Sequence, residues 1–189
     1  QKFNSQTESN PYPREDFYRD ISAINKLAET KPFYLKKYLE NNDWILTNTI
    51  IFVMQGSQGD EIIKKTYKFN QNFNTYYQGT DPYIIQEFRE DKIDYLVSCH
   101  KLSEGIDIPK LKNIILVSSD SAKLETIQRI GRCLRIDPEN KNKVANVLDF
   151  ILEFNQMPEV PLDEDNPDRT DWKRFRWLNK ISKIKKIKN

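Results

Sequence analysis

The sequence is poor in glycine, cysteine, methionine and histidine: its 189 residues include five glycines, two cysteines, two methionines and one histidine. Each shortage excludes a class of chemistry. A loop that cradles phosphate through its backbone needs Gly-x-x-x-x-Gly-Lys-Ser/Thr, and none of Gly56, Gly59, Gly79, Gly105 or Gly131 falls in that pattern. Two cysteines cannot supply a disulfide framework or a thiolate zinc cluster. Cys99 and Cys133 stand in apolar stretches and read as reduced thiols in a core. Cys99-His100 is the only local pair of soft ligands, and neighbours on a strand point to opposite faces, so no metal site is expected. No apolar run approaches the ~18 residues of a membrane span and no signal peptide is visible. The expectation is a protein of the cytoplasm or nucleus, not secreted and with no membrane partner. Because it starts at Gln1 rather than Met, the sequence reads as a processed product or part of a longer chain.

The charge is present but unevenly placed. Residues 169–189 hold nine basic residues and one acid, Asp171, while the preceding 168 residues hold 21 basic and 27 acidic ones. A basic end on an acidic body fits contact with a polyanion or a solubilising tail.

Hydrophobic periodicity organises the rest. Residues 1–14 are polar and read as a linker. Helical spacing is present over 15–29 and again over 32–42, where Phe33, Leu35, Tyr38 and Leu39 are expected to face a core and Pro32 stands near the start. Five strands are expected, at 48–54, 74–77, 93–98, 113–118 and 144–150. Ile50-Ile51-Phe52-Val53 and Ile114-Ile115-Leu116-Val117 are unbroken apolar runs, as in strands buried on both faces of a parallel sheet. Helical patterns fall between them at 59–69, 82–90 and 122–135. This alternation predicts an α/β domain of right-handed crossovers. Residues 158–168 read as an acidic linker, within which Asp163-Glu164-Asp165-Asn166 only mimics an acidic metal motif. A basic helix follows over 170–187, striped with Trp172, Phe175, Leu178, Ile181 and Ile184. Its lysines, arginines and aromatics could hold phosphates and stack on bases. The helical spacing of the aromatics favours the other reading, in which the stripe docks the helix on a domain and leaves the lysines in solvent.

Two constellations carry chemistry. In Gln128-Arg129-Ile130-Gly131-Arg132-Cys133-Leu134-Arg135, helical geometry puts Leu124, Ile127, Gly131 and Leu134 on one side. Gln128, Arg132 and Arg135 share the adjacent strip, and Arg129 points elsewhere. A glycine inside a helix costs about 1 kcal/mol, and close packing is the expected reason for Gly131. Guanidinium forks fit phosphate oxygens. In Ser98-Cys99-His100-Lys101-Leu102-Ser103-Glu104-Gly105-Ile106-Asp107-Ile108-Pro109 a strand runs into a loop with a glycine and two acids. In open α/β sheets, ligands bind beyond the carboxyl ends of the strands. Read singly, each segment also fits a plain surface: a solvated basic face, or an ordinary crossover loop.

Taken together, Glu104-Gly105-Ile106-Asp107-Ile108-Pro109 and Gln128-Arg-x-Gly-Arg-x-x-Arg resemble motifs V and VI of superfamily 2 helicases and translocases. Asn48-Thr49-Ile50-Ile51-Phe52-Val53 looks like motif IV, and Val144-Ala145-Asn146-Val147-Leu148-Asp149-Phe150 like the closing strand. The wording is most similar to the restriction-enzyme-type and XPB-type DNA helicases. The resemblance covers residues 45–152 and implies a second RecA-like domain, a parallel sheet flanked by helices, with extra helices at both ends. The implied layout is residues 1–44 as linker and connecting helices, 45–152 as the RecA-like domain, 153–168 as linker and 169–189 as a C-terminal helix.

The resemblance further implies ATP with Mg2+ in a cleft against an N-terminal RecA-like domain of the same polypeptide, and nucleic acid as partner. DNA is favoured; RNA, or a non-catalytic binding module, are the alternatives. Arg132 and Arg135 would be arginine fingers, with Gln128 coupling nucleotide to closure. Glu104, Gly105 and Asp107 would line the nucleotide side. Gly56, Ser57, Ser98, Cys99 and His100 would face the nucleic-acid backbone. Many relatives carry Thr where Cys99 stands, and a thiol is a much weaker donor, which counts against a side-chain contact there. Without a phosphate loop, residues 1–189 alone are expected to hydrolyse no ATP.

Overall fold

A computed structural model describes residues 28, 30–99, 108–118, 131, 135, 140, 142–151 and 170–181. The chain divides into two compact units, Leu27–Phe150 and a second made of Gln1–Lys26 with Ile151–Asn189.

The larger unit has helix α1 (Thr30–Leu39), a 3-10 turn (Asp43–Leu46), strand β1 (Thr49–Val53), helix α2 (Gly56–Thr66), β2 (Phe73–Tyr76), helix α3 (Tyr83–Arg89), β3 (Tyr95–Cys99), β4 (Asn113–Leu116) and β5 (Asn146–Asp149). The five strands form one sheet in the order β2-β3-β1-β4-β5. Every pairing is parallel: Thr49 lies opposite both Tyr95 and Asn113, Phe73 opposite Tyr95, and Asn113 opposite Asn146. Sequence-distant strands are thus neighbours, as crossover connections require. All five predicted strands are present, each within two residues of its expected ends.

β1 sits at the centre and is buried at all five positions. Its alternate residues serve two layers. Ile51 and Val53 join Tyr95, Val97, Ile115 and Val117 in one core, closed by Leu35 and Leu39 of α1, Ile45 and Leu46 of the turn, and Ile62 of α2. The opposite row (Ile50, Phe52, Leu96, Ile114 and Leu116) is equally buried, and α3 buries Ile85 and Phe88. The unbroken apolar runs are explained by these two covered faces.

Three boundaries differ from expectation. α1 belongs to the sheet unit rather than to a preceding connector, because Leu35 and Leu39 are fully buried in its core; Phe33, two residues before Leu35 and so on the far side of the helix, is exposed instead of facing that core. α2 begins at Gly56, three residues early. Its glycines disfavour helix locally, but the strand-to-helix junction is fixed by side chains: Gln58 accepts a hydrogen bond from the Met54 amide at 2.9 Å, and Gln55 donates to the Ser57 hydroxyl at 2.9 Å. The 3-10 turn was not expected. It packs Ile45 and Leu46 inward and leaves Trp44 exposed.

In the second unit, α4 (Thr170–Ile181) is helical as predicted, with Leu178 buried, Phe175 and Trp177 half-buried and Arg176 exposed. The helix expected at 15–29 lies outside the described residues except for residue 28. No helix among the described residues is long and apolar enough to cross a membrane.

Candidate functional site

The carboxyl edge of the sheet collects the ends of β1, β2, β3 and β4. α1 starts at this edge, because Lys31, buried in its first turn, donates a hydrogen bond from Nζ to the Val117 carbonyl at 2.9 Å. α2 also starts here, immediately after β1. Its N-cap, Gln55, is extended and makes no side-chain cap, and the first turn carries no acid. The first intrahelical amide bond comes from Gly59 to Gln55, at 3.2 Å. The Gly56 and Ser57 amides stand at the positive end of the helix dipole, in the turn where an α-helix offers no internal acceptor. Gly56 and Ser57 therefore stand at an anion-favouring turn, with Ser57 exposed.

Next to that turn, β3 ends. Ser98 is fully buried, and its hydroxyl donates to the Tyr76 carbonyl at 3.0 Å. That side chain is committed inside the sheet and offers nothing at the edge. Cys99, one residue on, is half-buried as a free thiol, and burial pushes its pKa up. It is a neutral, weak donor at neutral pH.

Tyr77, just beyond β2, completes the row. Register places Tyr76 opposite Ser98, so Tyr77 follows beside Cys99. Its backbone is held by a turn: the Thr80 amide donates to the Tyr77 carbonyl at 3.1 Å, and the Tyr77 amide donates to the Thr80 hydroxyl at 2.9 Å. Gly79 takes φ +87° at the third position of this turn, a conformation that favours glycine. The Tyr77 ring lies against the first turn of α2. A Cβ placed on Gly56 would be 3.6 Å from the ring; one placed on Gly59 would be 1.9 Å from the hydroxyl oxygen. That hydroxyl is sealed from solvent with no hydrogen-bond partner among the described residues. Burial, then Asp60 and then Cys99, push its pKa up to about 12.

The structure thus brings Gly56, Ser57 and Cys99 to one edge and turns the Ser98 side chain away. Arg135 is exposed. Gly131 is helical, and among the described residues nothing lies within 4 Å of a Cβ placed on it, so these residues give no packing reason for that glycine. His100, Glu104, Gly105, Asp107, Gln128 and Arg132 lie outside the described residues. Sequence reasoning missed Tyr77, Gly59 and Lys31. Two glycines three apart, straight after an apolar strand, signalled a close approach to α2; nothing local marked Tyr77 as the approaching group.

The profile of the helicase conserved C-terminal domain matches residues 31–137, more than half of the chain. The chain belongs to that family. It is similar to putative helicase 22 of Sulfolobus islandicus filamentous virus, 36% identical over 67 residues, which are 35% of this chain and 12% of that protein. The putative ATP-dependent helicase IRC3 of Saccharomyces cerevisiae is 28% identical over 138 residues, 69% of this chain and 19% of that protein. The chain therefore spans less than a fifth of the length of either relative. Among solved structures, S. cerevisiae Dbp5 bound to RNA and ADP BeF3 matches with a TM-score of 0.54 at 17% identity, over 79% of this chain and 35% of that one. That likeness is one of fold: a RecA-like sheet flanked by helices.

Proposed function

We propose that this chain is the second motor domain of an ATP-dependent DNA helicase or translocase, and that its carboxyl edge serves both nucleic acid and nucleotide. The observation that carries the reading is the uncapped start of α2 beside the end of β3, the strand that leads directly into Glu104, Gly105 and Asp107. Backbone amides at a helix start bind phosphate without reading sequence, as a motor that moves along a strand requires. Cys99 contributes its backbone rather than its thiol, and Ser98 holds the strand end in place.

ATP with Mg2+ supplies the phosphoanhydride bond whose hydrolysis powers movement, and is held mainly by an N-terminal RecA-like domain. From this chain, Arg132 and Arg135 supply guanidinium donors where negative charge gathers on the transferred phosphoryl group, and Gln128 links nucleotide to domain closure. In the full-length protein, Arg132→Ala or Arg135→Ala is expected to lower the ATPase rate by about 10³-fold or more while nucleotide binding survives. Steady-state hydrolysis and equilibrium binding of a fluorescent nucleotide measure the two; wild-type turnover in both variants would refute the arginine roles. Comparing stimulation by duplex DNA, single-stranded DNA and RNA tests the preference for DNA.

A further inference from the structure

We propose that Tyr77 is a positioning residue: its phenol acts as a stop that sets the direction of the Gly56–Ser57 turn of α2. The proposal rests on the reading of that turn as a phosphate contact, and it names what holds the turn in place.

Residues three apart share a helix face, so Gly56 and Gly59 together form a notch in the first turn of α2. The Tyr77 ring fills that notch. Its contact with Gly56 is ordinary, because a Cβ there would stand 3.6 and 3.7 Å from two ring carbons. The contact with Gly59 is exclusive. A Cβ there would fall 1.9 Å from the hydroxyl oxygen, 2.9 Å from the carbon that bears it, and 3.2 Å from a methyl of Val97. The space a side chain would use is thus already taken by the phenol oxygen and by β3. α2 cannot roll or slide toward the sheet at this end without striking them.

The stop is itself anchored. The reciprocal bonds between Tyr77 and Thr80 and the left-handed Gly79 fix the backbone that carries the ring. The hydroxyl gains no hydrogen bond among the described residues for its burial. A phenylalanine would fill most of the notch without that cost, so the oxygen is explained by the space it occupies and not by a bond it makes. Helix amides bind a phosphate only over a narrow range of distance and angle; a tilt of the first turn would disperse them.

The test uses the 189-residue chain, 15N-labelled and titrated with a single-stranded oligothymidylate, reading both affinity and the Gly56 and Ser57 amide shifts. Gly59→Ala is expected to weaken binding about tenfold and to shift both amides before any oligonucleotide is added. Tyr77→Leu in that background, which withdraws the hydroxyl and the carbon beside it, is expected to restore most of the loss. Tyr77→Leu alone removes the stop without a clash, and about threefold weaker binding is expected. A role limited to stability would lower Tm and leave affinity unchanged; that result, or the absence of rescue, overturns the proposal. Ser57→Glu separates this proposal from the reading beneath it. Ser57 is exposed and an acid at a helix start is tolerated, so its charge should repel phosphate directly. If Ser57→Glu binds as tightly as wild type, the turn is not a phosphate contact and both readings fall. If it weakens binding while Gly59→Ala does not, only the positioning role of Tyr77 falls.

Discussion

Tyr95 and Tyr77 lie on the same side of the sheet, under opposite ends of α2. Tyr95, at the amino edge, is fully buried and stacks on Phe73 with ring centroids 5.5 Å apart. Its hydroxyl is shared with Thr66 at 2.9 Å and donates to the Asn70 carbonyl at 3.2 Å. The groups around it follow the same rule: Asn113 donates to the Thr47 carbonyl, Asn146 to Asn113, and Asn70 to Asp94. At the carboxyl edge Tyr77 is half-buried, its hydroxyl has no partner among the described residues, and the helix above it begins without a side-chain cap. The hydroxyl of Tyr95 is tied into a set of hydrogen bonds, whereas among the described residues that of Tyr77 has none. The rule of polar satisfaction is kept around Tyr95 and broken at the Tyr77 hydroxyl, which lies at the edge where we propose that nucleic acid binds.

Truncation should break this symmetry most strongly. Tyr95→Ala is expected to cost about 3–5 kcal/mol, as for other fully buried aromatics. Tyr77→Ala removes less buried area and should cost about 1–2 kcal/mol. Urea denaturation of the 189-residue chain compares the two, and equal losses would mean that Tyr77 is as much a core residue as Tyr95. Removing only the oxygens isolates the bonds. Tyr95→Phe forfeits two hydrogen bonds and should cost about 1–2 kcal/mol, whereas Tyr77→Phe forfeits none and should leave stability unchanged or slightly raised.

The last effect is one of pH. Burial raises both phenols to about 12 in the folded chain, against 10.0 for an ordinary tyrosine. A group whose pKa is raised by folding contributes fully below its unfolded value, so stability should hold up to about pH 10 and fall as the pH rises through about 12. Each Phe variant should flatten that decline. Only Tyr95→Phe should also lower the plateau at neutral pH; a lowered plateau in Tyr77→Phe would show that its hydroxyl does have a partner.

How much of this was legible in the sequence depends on the range of the forces involved. The strands were legible because burial on both faces leaves a continuous apolar run, which needs no knowledge of the partner strand. α2 was displaced by three residues because Gly56 argues locally against helix, and what overrides it is the bonding of the Gln55 and Gln58 side chains at the junction. The turn at Trp44 was missed because a 3-10 helix of four residues has too little length to show a period. Of the site, Gly56 and Ser57 were singled out only through the family resemblance, since the helical pattern itself began after them, at residue 59. The inward commitment of Ser98 was not, since it depends on the register between β2 and β3. Helical spacing did mark Leu35 and Leu39 as core-facing, but not that the core they join is that of the sheet, which depends on packing against distant segments.

The strand order has a kinetic consequence. β1 is the central strand, yet its two neighbours are β3 and β4, which begin at Tyr95 and Asn113. A chain that emerges from its N-terminus must hold Ile50, Ile51, Phe52 and Val53 unpaired until both have been made. Closing such distant pairs is slow, and an unpaired apolar strand is open to association with other chains in the interval. This apolar run is thus the first part of the sheet to appear and among the last to be enclosed, which makes β1 the strand most exposed to misassembly before the fold closes.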